Sequence, residues 1–139
     1  MKIRVVAVGK LRKDYIVDGV NDYLKRISHY IDIEIVEIPE GSEKKYLLKK
    51  NFNVALDRSG KAMTSLEFSK FIEGMMLKIP KDIAFFIGGA EGFSSDFLKQ
   101  FDMMISLSSF TFPHEIVRLV LMEQIYRACT IIKGEKYHR

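Results

Sequence analysis

The sequence predicts an α/β fold, a mainly parallel sheet flanked by helices, folded as a single domain over residues 1–139. Three observations carry that expectation. Short β-branched or apolar runs alternate with longer segments whose apolar residues recur at helical spacing, the pattern of strands joined by helices. The run at residues 82–87 is almost wholly apolar, as parallel strands covered on both faces are. Gly9 closes the first apolar run, and three glycines (Gly88, Gly89, Gly92) follow the fourth, where backbone must approach something closely or adopt positive φ.

Each element has its own justification. Residues 2–8 (Lys-Ile-Arg-Val-Val-Ala-Val) read as a buried strand. Between residues 14 and 29, Ile16, Val17, Val20, Tyr23, Leu24 and Ile27 keep a helical period. A second strand spans residues 31–38, with Ile31, Ile33 and Ile35 on one face and Pro39 as its stop. A short polar helix is expected at 43–50. A third strand follows at 52–56, closed by the turn signature Asp57-Arg58-Ser59-Gly60. Thr64 or Ser65 caps a helix running to about residue 77, with Leu66, Phe68, Phe71, Ile72 and Met75 on its inner face. Lys78 suits the dipole at its end and Pro80 marks the stop. After the fourth strand, Phe97, Leu98 and Phe101 mark a short helix and residues 103–107 a fifth strand. A long final helix covers residues 113–133, ended by Gly134. The chain shows no internal repeat, low-complexity tract or linker.

The final helix contains a conflict. Val117, Leu121, Met122, Ile125, Ala128, Cys129 and Ile132 form one apolar arc, and Arg118 falls within it. The macrodipole also disfavours a cation in these first turns. Arg118 is therefore expected to reach an anion or a carbonyl; a side chain snorkelling at the core's rim is the plainer alternative. The opposite arc mixes Glu123, Arg127 and Thr130 with Ile116, Leu119, Val120 and Tyr126, which suggests a second buried surface, most simply a partner subunit. Glu123 and Arg127, spaced i and i+4, pair within the helix or across that interface.

Composition excludes several classes. A hydrophobic content of 47% argues against disorder, and no apolar run approaches the ~18 residues of a membrane span. A single cysteine, Cys129, excludes an internal disulfide framework and a cysteine-based zinc site, and the three histidines are too scattered for a metal site. The start Met1-Lys2-Ile3-Arg4 opens a charged strand with no secretory signal, so the expected location is cytoplasmic. The net charge of +4 is modest support for an anionic partner. Its distribution says more: Lys10, Arg12 and Lys13 follow the first strand, and Lys133, Lys136, His138 and Arg139 crowd the C-terminus. These two clusters either frame one site or are solvated surface charge.

The polar groups most informative about function lie in the last third of the chain. Gly88-Gly89-Ala90-Glu91-Gly92 ends an apolar strand, and Leu107-Ser108-Ser109-Phe110-Thr111-Phe112-Pro113-His114 forms a hydroxyl-rich turn into the last helix. Strand end, glycine turn and helix start together are where α/β sheets bind small molecules. The glycine run lacks the lysine and hydroxyl of a P-loop and the spacing of a dinucleotide fingerprint. No nucleophile elbow is present. His114 is a candidate base, although a first-turn histidine is more often a capping or packing residue.

Taken together, Gly88-Gly89-x-Glu91-Gly92, Leu107-Ser108-x-x-Thr111-Phe112-Pro113-His114, Arg118, Glu123-Gln124-x-Tyr126-Arg127-Ala128 and Gly134-Glu135-x-Tyr137-His138-Arg139 resemble the RlmH family of rRNA methyltransferases. The opening Val6-Ala7-Val8-Gly9-Lys10 fits as well, and the resemblance covers essentially the whole chain. The stretch between residues 40 and 51 is shorter than the family pattern leads one to expect, which concerns a peripheral helix.

The resemblance implies a SPOUT-type fold with a C-terminal trefoil knot, a homodimer, and S-adenosyl-L-methionine as methyl donor. It implies methylation at N3 of a pseudouridine in large-subunit (23S) rRNA, on assembled ribosomes; composition, as above, adds the expectation of no metal and no membrane partner. Periodicity does not show a knot, since ordinary connection rules argue against threading. Carried over by position, cofactor contacts fall on Leu56, Gly88, Leu107, Ser108, Ser109, Phe110, Thr111 and Phe112, and the family's tail on Tyr137-His138-Arg139. A side chain added at Gly88 is expected to obstruct the cofactor with limited loss of folding.

The chemistry agrees with that carry-over. A methyl on a sulfonium is already activated, so the protein must align donor and acceptor and manage one proton. Backbone from residues 107–112 would grip the adenine and methionine parts. An imide N3 is a weak acid that must lose its proton, and His138 is a candidate base or orienting group. Tyr137 belongs to the same tail, and Arg118 is a candidate to stabilise the developing anion. Two other classes compete: a non-enzymatic ribosome- or rRNA-binding factor, which gives no reason for the two turns, and a nucleotide-binding α/β enzyme, against which the missing phosphate fingerprints count.

Overall fold

The computed structural model describes residues 1–78 and 80–139. Its five strands form one all-parallel sheet: β1 (Lys2–Val8), β2 (Asp32–Ile38), β3 (Phe52–Ala62), β4 (Ile83–Ile87) and β5 (Met103–Ser106), in the order β2-β1-β4-β3-β5. Among the described residues the α-helices are α1 (Asp14–Ile27), α2 (Ser65–Lys78), the short α3 (Ser95–Leu98) and α4 (His114–Ile132). The α/β class and the alternation of elements are those the sequence predicts. The strand order is consistent with the trefoil crossing that the resemblance implies.

The two faces of the sheet are covered unequally. Ile3, Val5 and Ala7 of β1 and Ile83, Phe85 and Ile87 of β4 point to one face, where buried residues of α1, α2 and α4 complete the main core. The intervening Val6, Val8, Ala84 and Phe86 point to the other, as strand periodicity requires. That second face is roofed more lightly, by Tyr46, Leu47, Phe93 and Phe101. The apolar β4 run is thus explained: it is buried on both sides.

Local chemistry sets the helix ends. Thr64 Oγ1 accepts from the Glu67 N–H (3.1 Å) while a Glu67 carboxylate oxygen accepts from the Thr64 N–H (2.9 Å), a reciprocal capping box that opens α2. At the end of α4, Gly134 takes φ +73°, its N–H donating to Ile131 and that of Glu135 to Thr130. This is the two-bond left-handed stop that favours glycine.

Two elements differ from expectation. The polar helix expected at 43–50 is a single 3-10 turn, Glu43–Tyr46, after which the chain turns back toward β3. The signature Asp57-Arg58-Ser59-Gly60 does not end the third strand. The strand resumes, and both Leu56 and Lys61 pair with Ile105, so the four residues between them bulge out of the ladder. Only glycine fits the return: a Cβ on Gly60 would lie 2.7 Å from the Ile105 nitrogen.

The final helix also has an explanation within one chain. It lies against both α1 and α2, and Ile116, Leu119 and Tyr126 of its second arc pack at the margin of the main core. Its two apolar faces therefore do not by themselves require a partner. Among the described residues no helix is long and apolar enough to cross a membrane.

Candidate active site

The carboxyl ends of β3, β4 and β5 open onto two adjoining cavities of about 110 and about 340 Å³. They share Leu56, Asp57, Arg58, Thr111, Phe112 and Val117 as walls and so form one cleft. The size and position are those of small-molecule sites in open parallel sheets.

Two turns shape its sides. Residues 88–92 form the first, closed by the Gly92 N–H donating to Gly89 (3.0 Å), with Gly92 at φ +68°. Gly88 answers to a different need, close approach: a Cβ there would lie 3.0 Å from the Gly92 Cα. This alters the expected effect of a side chain at Gly88. It would displace the turn itself as well as fill the cleft, so the substitution is not a purely steric block. The second turn is residues 107–112. Ser106 Oγ donates to the Ser108 carbonyl (3.0 Å), and Ser108 Oγ accepts from the Phe110 N–H (2.9 Å), which fixes the backbone where it passes the cleft. Phe110 is left 78% exposed at the lip.

Most of the residues expected to bind cofactor converge here. Leu56, Leu107, Ser108, Phe110, Thr111 and Phe112 line the smaller cavity, and Gly88 lines the larger one with Leu56, Thr111 and Phe112. Ser109 is exposed and is not among the walls. The sequence reading missed Asp57, Arg58 and Val117. Asp57 and Arg58 were visible as a turn signature, but only the bulge in β3 brings Arg58, a cation, to the cleft. His114 lines the larger cavity.

Arg118 has a different position from the one a direct role requires. Its residue is 1% exposed and absent from the cleft walls. One guanidinium nitrogen donates to Glu37 (2.5 Å) and the other to the Gly9 carbonyl (3.1 Å). The expectation that it reaches an anion or a carbonyl is met by both, and neither is in the cleft.

Tyr137 and His138 are also apart from the cleft in a single chain. The tail folds back on α4: the Tyr137 hydroxyl donates to Glu123 (2.8 Å), its ring meets Tyr126 edge-on, and Arg127 stacks over it at 4.8 Å. Glu123 and Arg127 form their pair within the helix. Burial, then the bond to Glu123, raises the Tyr137 phenol above its ordinary value. Arg127 Nη1 lies 3.0 Å from His138 Nδ1. A guanidinium only donates, so Nδ1 accepts, and a neutral ring so held carries its proton on Nε2. The docked tail thus ties Nδ1 to Arg127. Among the described residues no group of acids, histidines and cysteine is placed to hold a metal ion.

A parallel α/β sheet with a ligand cleft built from a glycine turn and a hydroxyl turn defines a small-molecule-binding enzyme class. The family described as "Predicted SPOUT methyltransferase" matches residues 1–138, and the chain belongs to it. The chain is 51% identical over 139 residues, all of both chains, to a Coprothermobacter proteolyticus protein named "Ribosomal RNA large subunit methyltransferase H". It is 40% identical over 159 residues to a protein of the same name from Clostridium kluyveri, again with both chains fully covered. In fold it is similar to a probable methyltransferase from Bordetella pertussis, with a TM-score of 0.63 and 9% identity over 91% of this chain and 93% of that one. A probable methylase family protein from Haemophilus influenzae gives the same score over 99% of this chain and 70% of that one.

Proposed function

We propose that this methyltransferase family member methylates N3 of a pseudouridine in large-subunit rRNA, using S-adenosyl-L-methionine, on assembled ribosomes and as a homodimer. The observation that carries the reading is the convergence of the two turns on one cleft at the strand ends, in a chain whose curated relatives are named for the large ribosomal RNA. The cleft suits the donor: Leu56, Val117 and Phe112 offer apolar walls, and the 88–92 and 107–112 turns offer backbone polar groups and hydroxyls. S-adenosylmethionine supplies a methyl already activated on sulfur, so the protein's task is alignment and removal of one proton. Leu56, Gly88, Leu107, Ser108, Thr111 and Phe112 would hold the donor, with Phe110 closing over the lip.

What supports the homodimer is a separation. Glu123, where the tail docks, lies roughly 13 Å along α4 from His114 at the cleft. A tail released from Glu123 and Arg127 frees the His138 ring, and a second copy brings a tail to the cleft that a chain's own tail does not occupy. Sedimentation at micromolar concentration should show about twice the 16.1 kDa chain mass. A monomer that remains active would remove this part of the proposal.

Ribosomes lacking the modification, incubated with the protein and methyl-labelled S-adenosylmethionine, should yield labelled N3-methylpseudouridine on nucleoside mass spectrometry. Absence of label in large-subunit rRNA would defeat the assignment. Calorimetry separates the alternative of a non-enzymatic ribosome-binding factor, which predicts ribosome affinity without S-adenosylmethionine affinity. Gly88→Val, folded by circular dichroism, should weaken donor binding at least tenfold, through the displaced turn and the filled cleft together. Unchanged affinity would take Gly88 out of the donor site.

A further inference from the structure

The turn between β1 and α1 carries Lys10, Arg12 and Lys13, all exposed and forming no ion pair among the described residues. Its backbone, by contrast, is tied down from three directions. One Glu115 oxygen accepts from the N–H groups of both Arg12 (2.8 Å) and Lys13 (3.2 Å). Glu37 accepts from the Leu11 N–H (3.1 Å), and buried Arg118 bridges Glu37 to the Gly9 carbonyl. The nearby acids are therefore turned inward onto backbone and guanidinium, and three cations are turned outward. The N–H groups of Arg12 and then Lys13 hold the Glu115 carboxyl below the usual carboxylate range, so it stays charged at neutral pH. Asp14, the remaining acid of this stretch, opens α1, where the helix dipole favours it.

The turn also borders the cleft. Glu115 follows His114, a cleft wall, and Val8, just before the turn, lies 3.4 Å from where a Gly89 Cβ would be. An exposed cationic turn held rigid at the rim of a site is suited to a polyanion whose reacting part enters that site, and it loses little chain entropy on binding.

We infer that residues 10–13 form a preset platform for the phosphate backbone of the RNA substrate, fixing the register of the strand whose base enters the cleft. The inference rests on the proposed function and deepens it. Lys10→Gln/Arg12→Gln/Lys13→Gln should weaken binding to assembled ribosomes by about tenfold or more at physiological salt, and lower the slope of log affinity against log salt by roughly 2. Lys49→Gln/Lys50→Gln/Lys81→Gln removes the same charge beside the amino ends of β3 and β4, and should change both much less. S-adenosylmethionine affinity should be unaltered in both variants. Glu115→Ala gives a readout that net charge alone moves the other way. It makes the protein more positive, which by simple attraction tightens RNA binding, yet it frees the turn and should weaken binding several-fold. Equal effects of the two triple variants, or tighter binding by Glu115→Ala, would overturn the platform. Failure of the unaltered protein to bind ribosomes would instead defeat the function on which it rests.

Discussion

Deleting residues 137–139 is expected to lower methyl transfer to ribosomes by well over tenfold, about 1.4 kcal/mol or more in the transition state, while S-adenosylmethionine affinity changes little. The two effects separate because the groups are separate. The cleft walls include residues 56, 88, 107, 108 and 110–112, whereas the tail contacts Glu123, Tyr126 and Arg127 on α4. Helix α4 has its own stop at Gly134, so its end does not depend on the last three residues. His138→Ala in the full chain should reproduce most of the loss in kcat with a smaller change in KM, as expected for a group used in the transition state. Single-turnover assays on ribosomes, with calorimetry for the donor, make the comparison. A truncated protein that methylates at the full rate would show the tail to be a bystander, and equal losses of donor binding and turnover would place it in the donor site instead.

Much of this was legible in the sequence, for physical reasons that differ between elements. The strands β1 and β4 announce themselves because burial on both faces demands apolar runs, Val5–Val8 in β1 and all of β4, and α4 because Pro113 and Gly134 mark its ends. The cleft was legible as two turns, since glycine and hydroxyl clusters have few other uses beside a buried strand. The bulge in β3 was not. Asp57-Arg58-Ser59-Gly60 makes a turn by its own chemistry, and only the close passage of β5 over Gly60 shows that pairing resumes beyond it. Arg118 was legible as a misfit on an apolar arc, but its partners come from Gly9 and Glu37, more than 80 residues away in sequence, and no local pattern reveals them. The tail's residues were legible and its resting place was not, because Tyr137 and His138 find their partners in the half-buried Glu123 and Arg127 of α4, a docking that no local pattern reveals.

The buried guanidinium leads to the second large effect, in stability. Glu37→Ala is expected to destabilise the protein by about 3 kcal/mol, and Arg118→Met by only about 1 kcal/mol, although both break the same pair. The difference lies in what is left behind. Removing Glu37 strands a charge on a residue 1% exposed, with the Gly9 carbonyl as its remaining partner and Nε without one. Removing Arg118 strands a carboxylate whose side chain is 38% exposed, which water rehydrates, while methionine fills the volume among apolar neighbours. Glu37→Ala also frees the Leu11 N–H, so it loosens the basic turn that Arg118→Met leaves tied at Leu11. Urea denaturation of the two variants tests the order directly, read as midpoints at unchanged slope. If Arg118→Met were the more damaging change, the guanidinium would be held mainly by packing and by Gly9. The pairing with Glu37 would then be incidental to how the first turn is fixed on α4.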